Sequence, residues 1–90
     1  MELNRENQLR ELLDNQHDWP EIFSFKFIYK VNIETETKLK GLFNENSDII
    51  IKTSKKENYI SMTVKHMSSS ADEVMNIYLE ASKIGGVISL

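Results

Sequence analysis

Residues 20–31 read PEIFSFKFIYKV, a stretch in which an aromatic side chain stands at every second position from 23 to 29. Successive side chains of a strand point to opposite faces, so these aromatic side chains share one face. The opposite face carries polar side chains and one isoleucine, Ile28. This alternation predicts a strand that turns one side to the core and the other side towards water. The aromatic set is Phe23, Phe25, Phe27 and Tyr29.

The rest of the chain is organised around this strand. Apolar spacing, capping residues and β-branched runs predict six further elements. They are helices at 4–16 and 33–44, strands at 49–51 and 59–66, a helix that follows Ser70, and a strand at 87–90. Ser70 and Glu73 have the spacing of a capping box, which marks the start of the last helix. Residues 53–58 are predicted to form a lysine-rich turn.

The order of elements after the first helix is β-α-β-β-α-β, which indicates the α+β class. An antiparallel central hairpin and right-handed crossovers give four antiparallel strands in the order 4-1-3-2, with two helices on one face. This arrangement is the ferredoxin-like two-layer sandwich, a fold that hosts many unrelated functions. The sequence thus predicts an N-terminal helix and linker at 1–18 and a ferredoxin-like domain at 19–90. We expect Gly85 to take the left-handed conformation after the last helix.

Length and composition narrow the class of protein. Ninety residues make one domain with a modest core. The net charge of −3 argues against a dedicated nucleic-acid binder, whose affinity comes mainly from neutralising phosphates. The absence of cysteine excludes disulfides and thiolate chemistry. No segment approaches the roughly 20 apolar residues that span a bilayer, and no signal peptide is visible, so we expect a cytoplasmic protein without membrane contact.

Four short motifs stand in order along the chain: WPEIFSFKFI at 19–28, SKKENYIS at 54–61, EVMNIY at 73–78 and KIGGV at 83–87. They resemble the YbeD-like family of small bacterial proteins, a domain family of unknown function, over about residues 19–90. The resemblance implies a ferredoxin-like domain similar to the ACT-like regulatory domains that sense small molecules or pair subunits. It implies no reaction. The N-terminal helix is longer than the family leads us to expect.

No constellation of side chains in the sequence points to catalysis. His17 and His66 are the only histidines, they lack metal-ligand spacing, and we interpret both as surface or strand-end residues. The glycine and arginine of an acylphosphatase loop are absent after the first strand, as is the glycine of an amino-acid-binding ACT domain. The aromatic run of an RNA-recognition domain is missing too. We therefore predict a non-enzyme with no catalytic, cofactor-binding or metal-binding residues.

The sheet face opposite the aromatic side chains is the predicted interaction face. Its members are Lys26, Ile28, Ile50, Tyr59, Ser61, Thr63 and Lys65. This face suits a protein partner, a ligand platform, or a lid formed by Leu9, Leu12 and Leu13 of the first helix, and the lid is the expected arrangement. The second strand should lie at a sheet edge, where unpaired backbone groups invite another chain. We thus predict a homodimer or a partner contact at Ile50.

Two functions follow from these observations. The first is a non-enzymatic regulatory or protein-interaction domain that acts through the open face or the edge of the second strand. The alternative is an ACT-like sensor domain that binds a small-molecule metabolite in a dimer groove. Nucleic acid is the least supported partner, because the predicted open face carries one aromatic side chain, Tyr59.

Overall fold

Three helices and four strands make up the described part of the chain. The computed structural model describes residues 5–54 and 58–90, so part of the predicted turn at 53–58 lies outside the described residues. In chain order the elements are α1 (Arg5–Gln16), β1 (Glu21–Lys30), α2 (Ile33–Lys40), β2 (Asp48–Thr53), β3 (Tyr59–Ser68), α3 (Ala71–Ser82) and β4 (Ile88–Ser89).

Several element ends differ from the prediction. The helix α2 ends at Lys40, four residues before the predicted end at residue 44, because Gly41 caps it and the chain continues in tight turns. The strand β2 is longer than its isoleucine run, since its ends also pair with β3. At the end of α3 the left-handed residue is Gly86, with φ of 81°, and not Gly85. The Ser70 cap is confirmed, because its hydroxyl accepts from the N–H of Glu73.

The four strands form one antiparallel sheet in the order β2-β3-β1-β4. Read from the β4 edge, the same order is 4-1-3-2, with β1 and β3 in the centre. The pairing of β1 with β3 runs along ten residues from Glu21–Ser68 to Lys30–Tyr59, whereas β4 pairs with β1 at two positions only. The fold is therefore α+β, and its two longest strands lie side by side at the centre.

The core lies between the sheet and the two helices α2 and α3. The predicted inward face of β1 is confirmed, because Phe25, Phe27 and Tyr29 are at most 1% exposed. They pack with three apolar side chains of β3 and four from the helices. These partners are Ile60, Met62, Val64, Leu39, Val74, Ile77 and Ala81. Burying such apolar surface is the main force that holds a domain of this size together.

The helix α1 packs against α3, on the helical side of the sheet. Arg10 forms an ion pair with Asp72 at the start of α3, and Leu13 packs against the core. The predicted lid over the open face is therefore wrong: the leucines of α1 find apolar neighbours beside α3 instead, among them Phe23 and Tyr78. No helix in either described range is long and apolar enough to cross a bilayer.

Candidate interaction face and a buried histidine

The seven side chains predicted for an interaction face lie together on the side of the sheet that carries no helix. The strand register shows this directly, because Lys26 stands opposite Thr63, and Thr63 stands opposite Ile50. Ile28 is paired with Ser61 in the neighbouring row. Tyr59 and Lys65 have the same parity on β3 and belong to the same face. We call this side of the sheet the open face.

The open face is more apolar than its sequence suggested. Ile50 and Tyr59 are each 45% exposed. Further apolar side chains on this face were missed, although their strand parity could have identified them. They are Ile22, Met67, Ile88 and Leu90, all more than half exposed. Scattered exposed apolar side chains are normal, but a set on one sheet face that no helix covers indicates a contact surface.

The charges of the open face are mostly positive. Lys26, Lys30, Lys52 and Lys65 lie on it with a single acidic residue, Asp48. Lysines of the helical layer are paired: Lys38, Lys40 and Lys83 each lie within 4 Å of a glutamate. Within the described ranges, no ion pair involves a lysine of the open face. The open face thus presents cations whose counter-charges the described fold does not supply.

A semi-open cavity of about 540 Å³ lies at one end of the sheet. Its walls come from the end of β1, the start of α2 and the α3–β4 loop. Tyr29 lines it with Tyr59 and Asn32, but the Tyr29 hydroxyl already donates to Glu36 at 3.1 Å. Burial, reinforced by that acceptor, raises the pKa of Tyr29 above its ordinary value. The tyrosine therefore stays neutral here. The Asn32 side chain is likewise occupied in capping α2.

His66 is buried and not the surface residue predicted from the sequence. It continues the inward alternation of Ile60, Met62 and Val64, and its exposed fraction is 5%. Its ring lies against the rings of Phe25 and Phe43. The period of two along β3 could have placed it inward, but histidine was interpreted by its polarity and not by its position. His17 is half-buried instead, where it stacks on Trp19 and bonds to Glu21.

Both ring nitrogens of His66 have partners. Nε2 lies 3.1 Å from Glu73 Oε2, and Nδ1 lies 2.8 Å from Ser47 Oγ. A carboxylate only accepts, so Nε2 donates to Glu73, and in the neutral ring Nδ1 accepts from the Ser47 hydroxyl. The imidazole thereby joins the loop before β2, the strand β3 and the helix α3.

A serine, a histidine and a carboxylate in one hydrogen-bonded chain also resemble a hydrolase triad. The surroundings favour a structural tie. Glu73 also accepts from the backbone N–H of Ser69 at 2.6 Å, which fixes it at the start of α3. The nearly buried ring offers no room for a substrate beside the serine. We therefore interpret Ser47, His66 and Glu73 as a polar network that holds three elements together.

The charge on Glu73 should make the fold sensitive to acid. The Ser69 N–H, followed by the His66 ring, lowers the pKa of Glu73 below its usual value of 4.5. A depressed carboxyl pKa contributes stability above pH 4.5 that is lost as the pH falls through the folded-state value. We expect Glu73→Gln to lower the free energy of unfolding at pH 7 by about 1 kcal/mol, with a smaller difference at pH 3.

Denaturant unfolding of both proteins at pH 7, 5, 4 and 3 measures this difference. Glu34→Gln, on the exposed side of α2, serves as the control and should show little effect at any pH. A Glu73→Gln penalty of equal size at pH 7 and pH 3 would mean that the carboxylate charge contributes nothing.

Comparison with known proteins gives one match. A family described as a protein of unknown function (DUF493) matches residues 14–90, which is most of the chain. No curated protein and no solved structure matches it. The match begins within α1 and covers the whole sheet. It agrees with the sequence prediction of a domain family without an assigned function.

Proposed function

Because the chain belongs to the family of unknown function DUF493, we propose its function from its own surface: a non-enzymatic protein-interaction domain with a regulatory role. The proposed contact surface is the open face. The observation that carries the proposal is the combination of uncovered apolar side chains with lysines that have no described ion-pair partner. A ferredoxin-like fold, membership of the YbeD-like group and a cytoplasmic location are parts of the same proposal.

The chemistry of the open face favours an acidic protein partner with apolar side chains. Ile28, Ile50 and Ile88 offer apolar surface in adjacent rows of the sheet. The surrounding lysines would attract carboxylates and speed the encounter with them. Two open faces stacked on each other would bring lysines together and are disfavoured. Nucleic acid is also disfavoured, because Tyr59 is the only aromatic side chain of the face on which a base could stack.

The proposal predicts that reversing charges on the open face abolishes partner binding. The tagged wild type should capture a partner from its native cell, and Lys26→Glu with Lys65→Glu should weaken binding to the purified partner by about tenfold or more. The matched control is Lys38→Glu with Lys40→Glu, which changes the same charge on α2. Affinity for the wild type should fall as salt rises.

The pattern across the two variants decides the proposal. Loss of binding in the α2 control, with full binding by the open-face variant, would place the contact on the helical layer. Removal of the captured molecule by nuclease would identify a nucleic acid and would contradict the proposal. Folding of each variant is checked by circular dichroism.

A second candidate is the ACT-like sensor that binds a small-molecule metabolite in a dimer groove. The cavity of about 540 Å³ beside Tyr59 and Gly85 supports it, because this volume is typical of small-ligand sites. A ligand that binds the native state must raise the melting temperature. A metabolite panel in a thermal-shift assay tests this function, and a shift that Lys30→Ala removes would favour the sensor over the protein-interaction domain.

A further inference from the structure

The strand β2 has one edge that faces away from the sheet. It pairs with β3 on its inner side only, since the order is β2-β3-β1-β4. The N–H of Ser54 donates to the carbonyl of Tyr59 at 2.9 Å, so this pair is a hydrogen-bonded one. Pairs of this kind alternate along an antiparallel ladder. The backbone groups of Ile50 therefore face β3, and those of Ile49 and Ile51 face outward at the edge.

The side chains of β2 are arranged symmetrically about Ile50. Asp48 and Lys52 stand two residues before and two residues after it, on the same open face. Ile49 and Ile51 flank it on the helical face, and Ile51 is 38% exposed. When an antiparallel strand is turned by a two-fold rotation about Ile50, the position of the aspartate falls on that of the lysine. The strand is thus complementary in charge to a second copy of itself.

We propose that two copies of the chain pair β2 against β2, antiparallel, about a two-fold axis at Ile50. In this register Ile49 stands opposite the partner's Ile51, and the outward backbone groups of both strands are hydrogen-bonded. The two Ile50 side chains meet at a position without hydrogen bonds, where opposite residues come closest. Asp48 stands opposite the partner's Lys52, and the symmetry repeats this pair once more.

Other registers of the same edge lose this complementarity. The outward groups of Ile49 and Ile51 restrict an antiparallel partner to shifts of two residues. One such shift places Ile50 opposite Asp48, and the other places it opposite Lys52. Each of these registers sets an apolar side chain against a charge and leaves the second charge without its counterpart. Only the register centred on Ile50 satisfies the backbone and both charges.

The pairing joins two four-stranded sheets into one, with both sets of helices on one side. The open faces then lie next to each other, and the lysines of the two copies do not meet face to face. About four backbone hydrogen bonds join the copies, so the interface is small and the dimer should be weak and dependent on concentration. This contact goes beyond the open-face binding proposed above, and either can hold without the other.

A charge swap across the edge tests the register. Sedimentation from micromolar to millimolar concentration should show a reversible dimer of the wild type. Asp48→Lys should weaken association by about tenfold, because both cross-strand pairs become repulsive, and Lys52→Asp should do the same. The double variant with both changes exchanges the charges and should restore the wild-type dissociation constant to within about threefold. Lys26→Glu, on a central strand, should leave association unchanged.

Each result either supports or overturns the pairing. A wild type that stays monomeric at every concentration overturns it. A dimer that neither single reversal weakens would place the contact elsewhere, and a double variant that is folded but not restored would contradict the register. Loss of partner capture by the open-face variant with an unchanged dimer shows that the two proposals are separate.

Discussion

Phe25→Ala is expected to lower the free energy of unfolding by about 3–5 kcal/mol, the largest effect of any single change proposed for this chain. Phe25 is fully buried in the centre of β1. Its ring centroid lies 4.9 Å from that of Phe23, 5.2 Å from that of Tyr78 and 5.4 Å from that of Phe43. The alanine variant would lose these contacts and leave a cavity that the rigid strand cannot close.

The expected loss is a large share of the total stability. A domain of 90 residues has a free energy of unfolding of about 5–13 kcal/mol. Urea unfolding of the wild type and of the variant measures the difference. Ile22→Ala is the matched control on the same strand, since Ile22 is 60% exposed on the open face and should cost about 0.5 kcal/mol or less.

A second variant keeps the test decisive if the alanine protein does not fold. Phe25→Leu retains most of the apolar volume and should cost about 1–2 kcal/mol. A Phe25→Ala penalty below about 1 kcal/mol would contradict the assignment of the inward face of β1. So would a penalty for Ile22→Ala that equals the penalty for Phe25→Ala.

The fold could be predicted to the extent that one pattern dominates each element. The aromatic alternation from Phe23 to Tyr29 determined the buried face of β1, because aromatic side chains contribute most to core burial. The long pairing of β1 with β3 followed from that strand's central place in the sheet. The open face could also be located, because its residues are the opposite parity of the same strands.

The remaining errors have physical reasons. The leucine stripe of α1 fits any apolar surface, and its docking on α3 depends on tertiary contacts such as the Arg10–Asp72 pair. Local spacing carries no information on such a choice. His66 was misplaced because a polar side chain at a core position is permitted only when distant partners satisfy it. Those partners, Ser47 and Glu73, lie 19 and 7 residues away in the sequence.

His66→Ala is expected to lower the free energy of unfolding by about 2–4 kcal/mol. The change removes a buried ring and leaves Ser47 and Glu73 without their shared partner. This is the reverse of the sequence prediction, in which replacing both histidines left stability nearly unchanged. The other histidine is the matched control: the side chain of His17 is 26% exposed, and His17→Ala should cost less than about 1 kcal/mol.

A volume-matched variant separates the hydrogen bonds from the packing. His66→Phe fills most of the ring's space against Phe25 and Phe43 but can bond to neither partner. If the network contributes as proposed, His66→Phe should still cost about 1–3 kcal/mol, because the penalty for unsatisfied polar partners remains. A phenylalanine variant as stable as the wild type, beside a destabilised alanine variant, would mean that His66 acts by packing alone. Equal small losses for His66→Ala and His17→Ala would place His66 at the surface after all.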